Sequence, residues 1–360
     1  MIFLDSYFRD KVVIVTGHTG FKGSWLVAWL NLLGAKVIGI SNGYTSSPSH
    51  YKLLKLKDVK NKVIDIRNIN LVKKIFKNYQ PDFVFHLAAQ SIVKKSYNKP
   101  LCTWSTNTIG TINILEALRD LKKKCIAIII TSDKAYENLE IKRGYHENDR
   151  IGGKDPYSAS KASADIAIKS YVNSFFNSKK NKIFIATARA GNVIGGGDWS
   201  AYRLIPDCIR SWSKKNKVII RSPDSTRPWQ HVLEAVYGYI LLAINLYKNK
   251  KLHGEAFNFG PPNQQNYKVI TLVKLMKKNW KNVFWKVNKS KKKNYKESNL
   301  LKLNSKKANI KLNWKSVLKF KETVFFVSDW YKNFYIDPKK TKDLTIGQIK
   351  KYQKIINLRQ

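Results

Sequence analysis

Three cysteines in 360 residues, Cys102, Cys125 and Cys208, are too few and too scattered for a disulfide framework. Their spacing matches no metal site either, so reduced thiols and no bound metal are expected. Acidic residues are scarce: 24 against 67 Lys and Arg, a net charge of +43. Such an imbalance suits a nucleic-acid or anionic-membrane surface. Yet arginine is sparse, no arginine-rich segment or DNA-reading motif occurs, and the lysines are spread along the chain, often beside asparagine. That pattern describes a solvated surface, so neither nucleic acid nor membrane is an expected partner. The charge still helps attract a substrate bearing a diphosphate. No apolar run approaches the ~20 residues of a membrane span. The opening Met1-Ile-Phe-Leu-Asp5 meets an acid at once, so no signal peptide is expected and the cytoplasm is the expected compartment.

What is present is a globular balance, 43% hydrophobic and 12% aromatic. The length allows one large or two modest domains. Lys11-Val-Val-Ile-Val-Thr16 reads as a short buried parallel strand, Ser24 to Leu33 as a helix and Lys36 to Ile40 as a second strand, one βαβ unit. Further strands are expected at Val63–Asp65, Phe83–Leu87, Ile126–Thr131 and Ile183–Ala188, with helices over Ile69–Asn78, Thr106–Leu121 and Ser158–Phe176. This alternation is the signature of an α/β, doubly wound parallel sheet. After about residue 190, Gly195-Gly-Gly197 and several prolines punctuate shorter elements suited to contacting a ligand. The expected division is 1–190, then a smaller domain 191–336 whose segments cross into the first, then a peripheral extension 337–360. Lys289 to Lys296 reads as a solvated basic loop.

Between the first strand and its helix stands Gly17-His-Thr-Gly20-Phe-Lys-Gly23. Glycines there permit a tight turn and let a diphosphate approach the backbone, while the helix N-terminus offers N–H groups and partial positive charge. Gly17, Thr19, Gly20, Phe21, Lys22 and Gly23 are therefore expected dinucleotide contacts. The second strand ends Ile40-Ser41-Asn42, with neither a ribose-binding carboxylate nor an arginine for a 2′-phosphate. NAD is favoured over NADP on that ground. Asp65 and Ile66 close the third strand; Asp65 is either an adenine contact or a turn carboxylate.

Ser132 ends the apolar run Ile126 to Ile130 and precedes Tyr157-Ser-Ala-Ser-Lys161. Tyr157 is the candidate base toward a substrate hydroxyl. Lys161, one helical turn on, is expected to favour the phenolate and to hold the nicotinamide ribose. Ser132 is placed to hydrogen-bond the same hydroxyl. Asp133 and Lys134 add an acid and a base that simple oxidation does not need. Once a sugar hydroxyl becomes a ketone, the neighbouring C–H is acidic, and a base there with an acid over the next hydroxyl allows loss of water. A surface ion pair is the plain alternative for these two residues, disfavoured by their position at a strand's C-terminal end.

These residues resemble the extended short-chain dehydrogenase/reductase family, and within it the branch of dehydratases that act on CDP-sugars. The resemblance spans nearly the whole chain and is carried by the glycine turn, Thr131-Ser-Asp-Lys134, Tyr157 to Lys161, Ala188 to Trp199, Arg203-Leu-Ile-Pro-Asp207 and Arg227-Pro-Trp-Gln-His231. Relatives acting on dTDP-sugars carry Thr-Asp-Glu where this chain has Ser132-Asp133-Lys134. The resemblance implies a Rossmann-type doubly wound sheet with a smaller C-terminal substrate-binding domain, NAD recycled at each turnover, CDP-glucose as substrate and a homodimer. It implies that Leu87, Ala88, Ala89, Gln90, Asn107 and Ala190 line the cofactor cleft. Ser91, Ser132, Asn192, Arg203, Leu204, Arg227, His231 and Glu297 are the implied substrate contacts. Departures occur after Asn42, at Asn304 where relatives usually carry a carboxylate, and near Lys296 where they carry a histidine. The alternatives are another sugar-nucleotide dehydratase or 4-epimerase of this fold, and a non-enzymatic NAD- or nucleic-acid-binding protein.

Overall fold

β-Branched runs bounded by turn residues become the strands of one seven-stranded sheet in the computed structural model, which describes residues 4–220, 222–262, 265–287 and 300–359. The strands are β1 (Val12–Thr16), β2 (Lys36–Ser41), β3 (Lys60–Val63), β4 (Phe83–His86), β5 (Cys125–Ile130), β6 (Ile183–Ala190) and β7 (Ala256–Phe259). They are parallel throughout, in the order β7-β6-β5-β4-β1-β2-β3. The winding direction reverses between β1 and β4, so loops after these two strands part and leave a crevice at their C-terminal ends. Register sets Thr16 opposite both Ile40 and His86, and Ile130 opposite Ala188, so the loops carrying the motifs leave the sheet at one level.

Several expectations shift. The helix after β1 starts at Phe21 rather than Ser24, so Gly23 lies in its first turn. The third strand was expected at Val63–Asp65 but runs Lys60–Val63. As an edge strand it pairs on one side, with Val63 67% exposed, and ends where a tight turn at Asp65 begins. The helix expected over Thr106–Leu121 is broken into Pro100–Trp104, a π-turn Ser105–Ile109 and Gly110–Arg119. Gly110 allows the close pass, since a Cβ there would lie 2.6 Å from Ile66 Cδ1.

Beyond residue 190 the chain lays down strands of three two-stranded ribbons among the described residues, returns to the sheet with the helix Val232–Lys248 and β7, and then adds Tyr267–Lys268 and Trp285–Val287 to complete two of those ribbons. Residues 337–359, within the stretch expected at the periphery, pack into the body of the fold. The helix Thr341–Arg359 buries Ile349, Tyr352 and Ile356. Tyr352 meets the Trp29 ring edge-on at 5.9 Å and donates to Glu234 Oε2 at 2.8 Å. The same Glu234 accepts from Val317 N and Leu318 N through Oε1. The Lys289–Lys296 loop lies outside the described residues.

Candidate active site

The glycine turn is shaped by what it touches. Gly17 has φ +71°, and a Cβ there would sit 2.7 Å from Ala88 N; at Gly23 it would sit 2.2 Å from Gly17 O. Only glycine permits this pass between the turn and the chain leaving β4. The pass is riveted by residues that spacing rules do not single out. Thr16 Oγ1 is 2.6 Å from His86 Nδ1 and accepts from Ala88 N, while His86 Nε2 is 3.0 Å from Thr111 Oγ1. Burial pushes the His86 imidazole down to about 3, so it stays neutral. Thr19 Oγ1 donates to Gly43 O at 2.6 Å, closing the turn against the end of β2. What remains open is the first-turn amides of the helix at Phe21 and Lys22, a cradle for an anion.

The Leu87–Gln90 loop forms the facing wall, and the side chains of Gln90 and of Asn107 behind it act as struts. Asn107 Oδ1 accepts from Gln90 N at 2.8 Å, and its Nδ2 donates to Gln90 O and Ser160 Oγ. The Gln90 amide donates to Ile92 O and Thr103 Oγ1 and accepts from Ile92 N. Both side chains are buried in this clasp, which fixes the wall to the Tyr157 helix. Asp65 is engaged as a turn carboxylate: it accepts from Arg67 N at 2.9 Å and pairs with the Arg67 guanidinium at 2.6 Å. Ile66 is buried against Gly110.

Ser132, Asp133, Tyr157 and Lys161 converge at the end of β5. The helix Pro156–Phe175 starts with a proline and an Asp155 cap whose Oδ1 accepts from Tyr157 N and Ser158 N, which fixes Tyr157 in the first turn. Lys161 Nζ donates to Ile130 O at 3.3 Å. Ser132 Oγ donates to Asp133 Oδ1 at 3.0 Å and accepts from Lys134 N at 3.2 Å. A Cβ on Gly191 would lie 3.1 Å from Asp133 Oδ2, so the backbone after Ala190 floors the acid. Arg203 bridges from Asp198 (3.0 Å) to Ser91 Oγ (3.2 Å) across the crevice mouth. Leu204 begins the helix behind it, and Asn192 O accepts from Gln230 N.

Electrostatics separates the roles. Burial raises the Asp133 carboxyl, with the Lys134 charge the largest opposing influence. That is the direction a proton donor needs. Burial lowers Lys161 to about 8, opposed by Asp165. Tyr157 departs from expectation: its phenol is pushed up, because burial outweighs the hydrogen bond with Ser132 that pulls it down. A neighbouring lysine therefore does not by itself create a phenolate here. Lys22 Nζ reaches the Tyr239 hydroxyl at 3.4 Å, and burial lowers it to about 8. The sequence gives no sign of Tyr239, which lies in an apolar helix register.

His231 is a correction. It is fully buried, packed between the Trp25 and Phe326 rings, and its Nδ1 accepts from Leu233 N as the cap of the helix Val232–Lys248. Burial lowers it to about 3, so it offers a substrate neither access nor charge. Arg227 sits on the ribbon paired with Tyr267–Lys268, and its Nη1 donates to Thr226 O. Glu297 lies outside the described residues.

A switch-point crevice, a glycine turn opening a helix, and a Ser–Tyr–Lys group define a dinucleotide-binding, short-chain dehydrogenase/reductase type of site. The chain belongs to the GDP-mannose 4,6 dehydratase family, whose pattern matches residues 14–325. It is 41% identical over 332 residues to the CDP-glucose 4,6-dehydratase of Salmonella typhimurium, covering 91% of this chain and 92% of that protein. It is 26% identical to the CDP-paratose 2-epimerase of Salmonella typhi, over 73% of this chain and 83% of the relative. Among solved structures, an epimerase from Methanothermobacter thermautotrophicus superposes with a TM-score of 0.81 at 24% identity, covering 93% of this chain and 96% of that one. The UDP-glucose 4-epimerase of Thermus thermophilus, in complex with NAD, gives 0.74 at 20%, covering 89% and 98%.

Proposed function

We propose that this chain is an NAD-dependent CDP-glucose 4,6-dehydratase. The observation that carries the reading is Asp133, an acid with a raised pKa seated between Ser132 and the Gly191 backbone beside Tyr157. Oxidation alone has no use for it, whereas loss of water does. The similarity to the Salmonella CDP-glucose enzyme supports the choice of substrate.

The residues fit a dinucleotide. Gly17 and Gly23 occupy positions where any Cβ collides, and the helix amides beyond them face the cradle. The turn, the Leu87–Ala89 wall and Lys161 would hold the cofactor. NAD, when bound there, would supply an acceptor for the hydride from C4 and a source of hydride for C6.

The chain's own groups move the protons. Tyr157, helped by Ser132, takes the proton of the C4 hydroxyl. With C4 a ketone, Lys134 removes the proton at C5, while Asp133 gives its proton to the departing C6 oxygen. Water leaves, and Lys134 returns its proton to C5, giving CDP-4-dehydro-6-deoxyglucose. Arg203 and Arg227 are assigned to the substrate's diphosphate end. Each proton transfer of this kind is worth roughly 10²–10⁴-fold in rate.

A homodimer accompanies this reading. Leu101 (81% exposed), Ile109 (49%) and Ile166 (60%) stand out on the helical face built from residues 100–119 and 156–175, and such apolar exposure suits a partner surface. Among the described residues no helix is long and apolar enough to cross a membrane.

The test is to incubate purified protein with CDP-, dTDP- and GDP-hexoses and to record the alkaline absorbance of a 4-keto sugar. Product from CDP-glucose supports the assignment. Product only from another nucleotide sugar, or none, sinks it.

A further inference from the structure

The chain leaving the Gly195–Gly197 run carries a buried carboxylate that is held from several sides. Asp198 Oδ1 accepts from Ser200 N at 3.0 Å, and Oδ2 accepts from Arg203 Nη1 at 3.0 Å. One phenol clamps the backbone of the same residue. Tyr331, fully buried on the helix Phe320–Ile336, donates its hydroxyl to Asp198 O at 2.6 Å and accepts from Asp198 N at 3.0 Å. Trp199 and Trp330 pack edge-on against that phenol, with ring centroids 6.0 and 5.3 Å away. The helix is itself tied to Thr341–Arg359: Trp330 Nε1 donates to Thr345 Oγ1 at 3.2 Å, and Gln348 Nε2 donates to Phe326 O at 2.7 Å. Asp198 is thus fixed through both its backbone and its side chain.

The arginine at the other end of the pair is in a different medium. The Arg203 side chain is 34% exposed, against 5% for Asp198. The pair Arg189–Asp165, by contrast, is buried at both ends, at 6% and 3%. Arg203 Nη2 donates to Ser91 Oγ at 3.2 Å, on the chain that continues from the Leu87–Gln90 wall. Tyr202 beside it, with φ +63°, has Lys94 Nζ 4.5 Å over its ring, so adjacent side chains reach the same segment across the crevice mouth. A guanidinium has five N–H donors, and these two contacts use two of them. The rest can receive an anion. An unbraced arginine loses the freedom of its long stem when it grips a phosphate, whereas one ordered beforehand does not.

We propose that Asp198, clamped by Tyr331, is a positioning residue for the substrate's diphosphate: it holds the Arg203 guanidinium at the crevice mouth in the pose that receives the phosphate oxygens. The inference rests on the assignment of Arg203 to the diphosphate end in the dehydratase reading. Ser91 occupies Nη2 until a phosphate, the stronger acceptor, takes its place. The segment Thr341–Arg359 then has a part in substrate capture, as the support of the helix that carries the clamp.

The test is a double-mutant cycle on the full chain loaded with NAD, with CDP as the probe and calorimetry as the measurement. Asp198→Asn keeps an acceptor for Ser200 N but loses the charge that holds the guanidinium, and CDP affinity falls by about 5–10-fold. Tyr331→Phe, which removes only the clamping hydroxyl, weakens CDP by about 3–5-fold and serves if the asparagine variant does not fold. In an Arg203→Met background, each of these substitutions changes CDP affinity by less than about twofold, because the group they position is gone. The same fold-loss with and without Arg203, or no loss with Arg203 present, overturns the brace. So does a wild-type chain that binds no CDP. The dehydratase reading is scored separately, by 4-keto product from CDP-glucose with the wild-type chain. Product with an additive cycle removes the brace alone; no product with a coupled cycle removes the dehydratase reading and keeps the brace; neither product nor coupling removes both.

Discussion

Asp133 and Glu234 are both buried carboxyls raised by desolvation, yet one sits in the crevice and the other in the seam of the C-terminal helix. Glu234 accepts from Val317 N, Leu318 N and Tyr352 O–H, all on rigid backbone or a packed ring. Asp133 accepts from the Ser132 hydroxyl at 3.0 Å and from the Lys134 backbone, with the Lys134 and Lys22 charges as its other influences. The difference teaches that a raised carboxyl is not by itself catalytic. A carboxyl whose oxygens are fully engaged has a structural job, whereas one left facing a crevice is free to exchange a proton.

The sharpest way to break the comparison is to neutralise each carboxyl in turn. Asp133→Asn is expected to lower kcat by roughly 10²–10⁴-fold while leaving the thermal midpoint nearly unchanged. Lys134→Ala should do the same to dehydration with NAD binding intact, and surviving turnover removes Lys134 as the base. Glu234→Ala should show the opposite pattern. Two backbone N–H groups and a phenol lose their acceptor, a destabilisation of about 2–5 kcal/mol read by urea unfolding, with kcat per folded molecule retained.

A subtler test uses pH. The Glu234 carboxyl is raised to about 7 in the folded protein. Its unfolded value is ~4.3. The folded state therefore binds this proton more tightly, and stability present below about pH 4.3 is lost as pH rises toward 7. The loss is on the order of 1–3 kcal/mol. Glu234→Gln should flatten that part of the stability–pH curve; an unchanged curve assigns the proton elsewhere. The smallest expected effect is at Tyr136, three residues after Asp133. Its hydroxyl donates to Asn258 Oδ1 and accepts from Arg189, which pairs with Asp165. Tyr136→Phe should cost about 1–2 kcal/mol in stability and only a few-fold in kcat. A larger loss of kcat makes this anchor part of the proton-transfer geometry.

Much of the frame was legible because its causes are local. A β-branched run before Gly17 gives a buried strand, the three glycines give the turn, and Tyr157 with Lys161 share a helix face by their spacing. The fold class and the inventory of Ser132, Asp133, Tyr157 and Lys161 follow from those signals. The misplacements have equally physical reasons. β3 ended early because an edge strand feels one neighbour, so the Asp65 turn set its limit. Asn107 and Gln90, which the resemblance implies line the cofactor cleft, turn their side chains to nearby backbone, as buried amides first do. His231, a substrate contact implied by the resemblance, is drawn inward as a helix cap among aromatic rings.

What the residues determined alone is therefore the periodic and the short-range: strand and helix type, the anion cradle, and the chemical inventory of a hydroxyl, a phenol, a carboxyl and lysines. Tertiary structure decided which of those groups meet and in what medium. It brought Lys22 and Tyr239, more than two hundred positions apart, into contact. It pushed the Tyr157 phenol up rather than down. It turned the last helix from a loose end into a wall held by Tyr352 and Glu234. The reason is that spacing along a chain carries hydrogen-bond and hydrophobic periodicity, while desolvation and charge coupling depend on neighbours that only folding supplies.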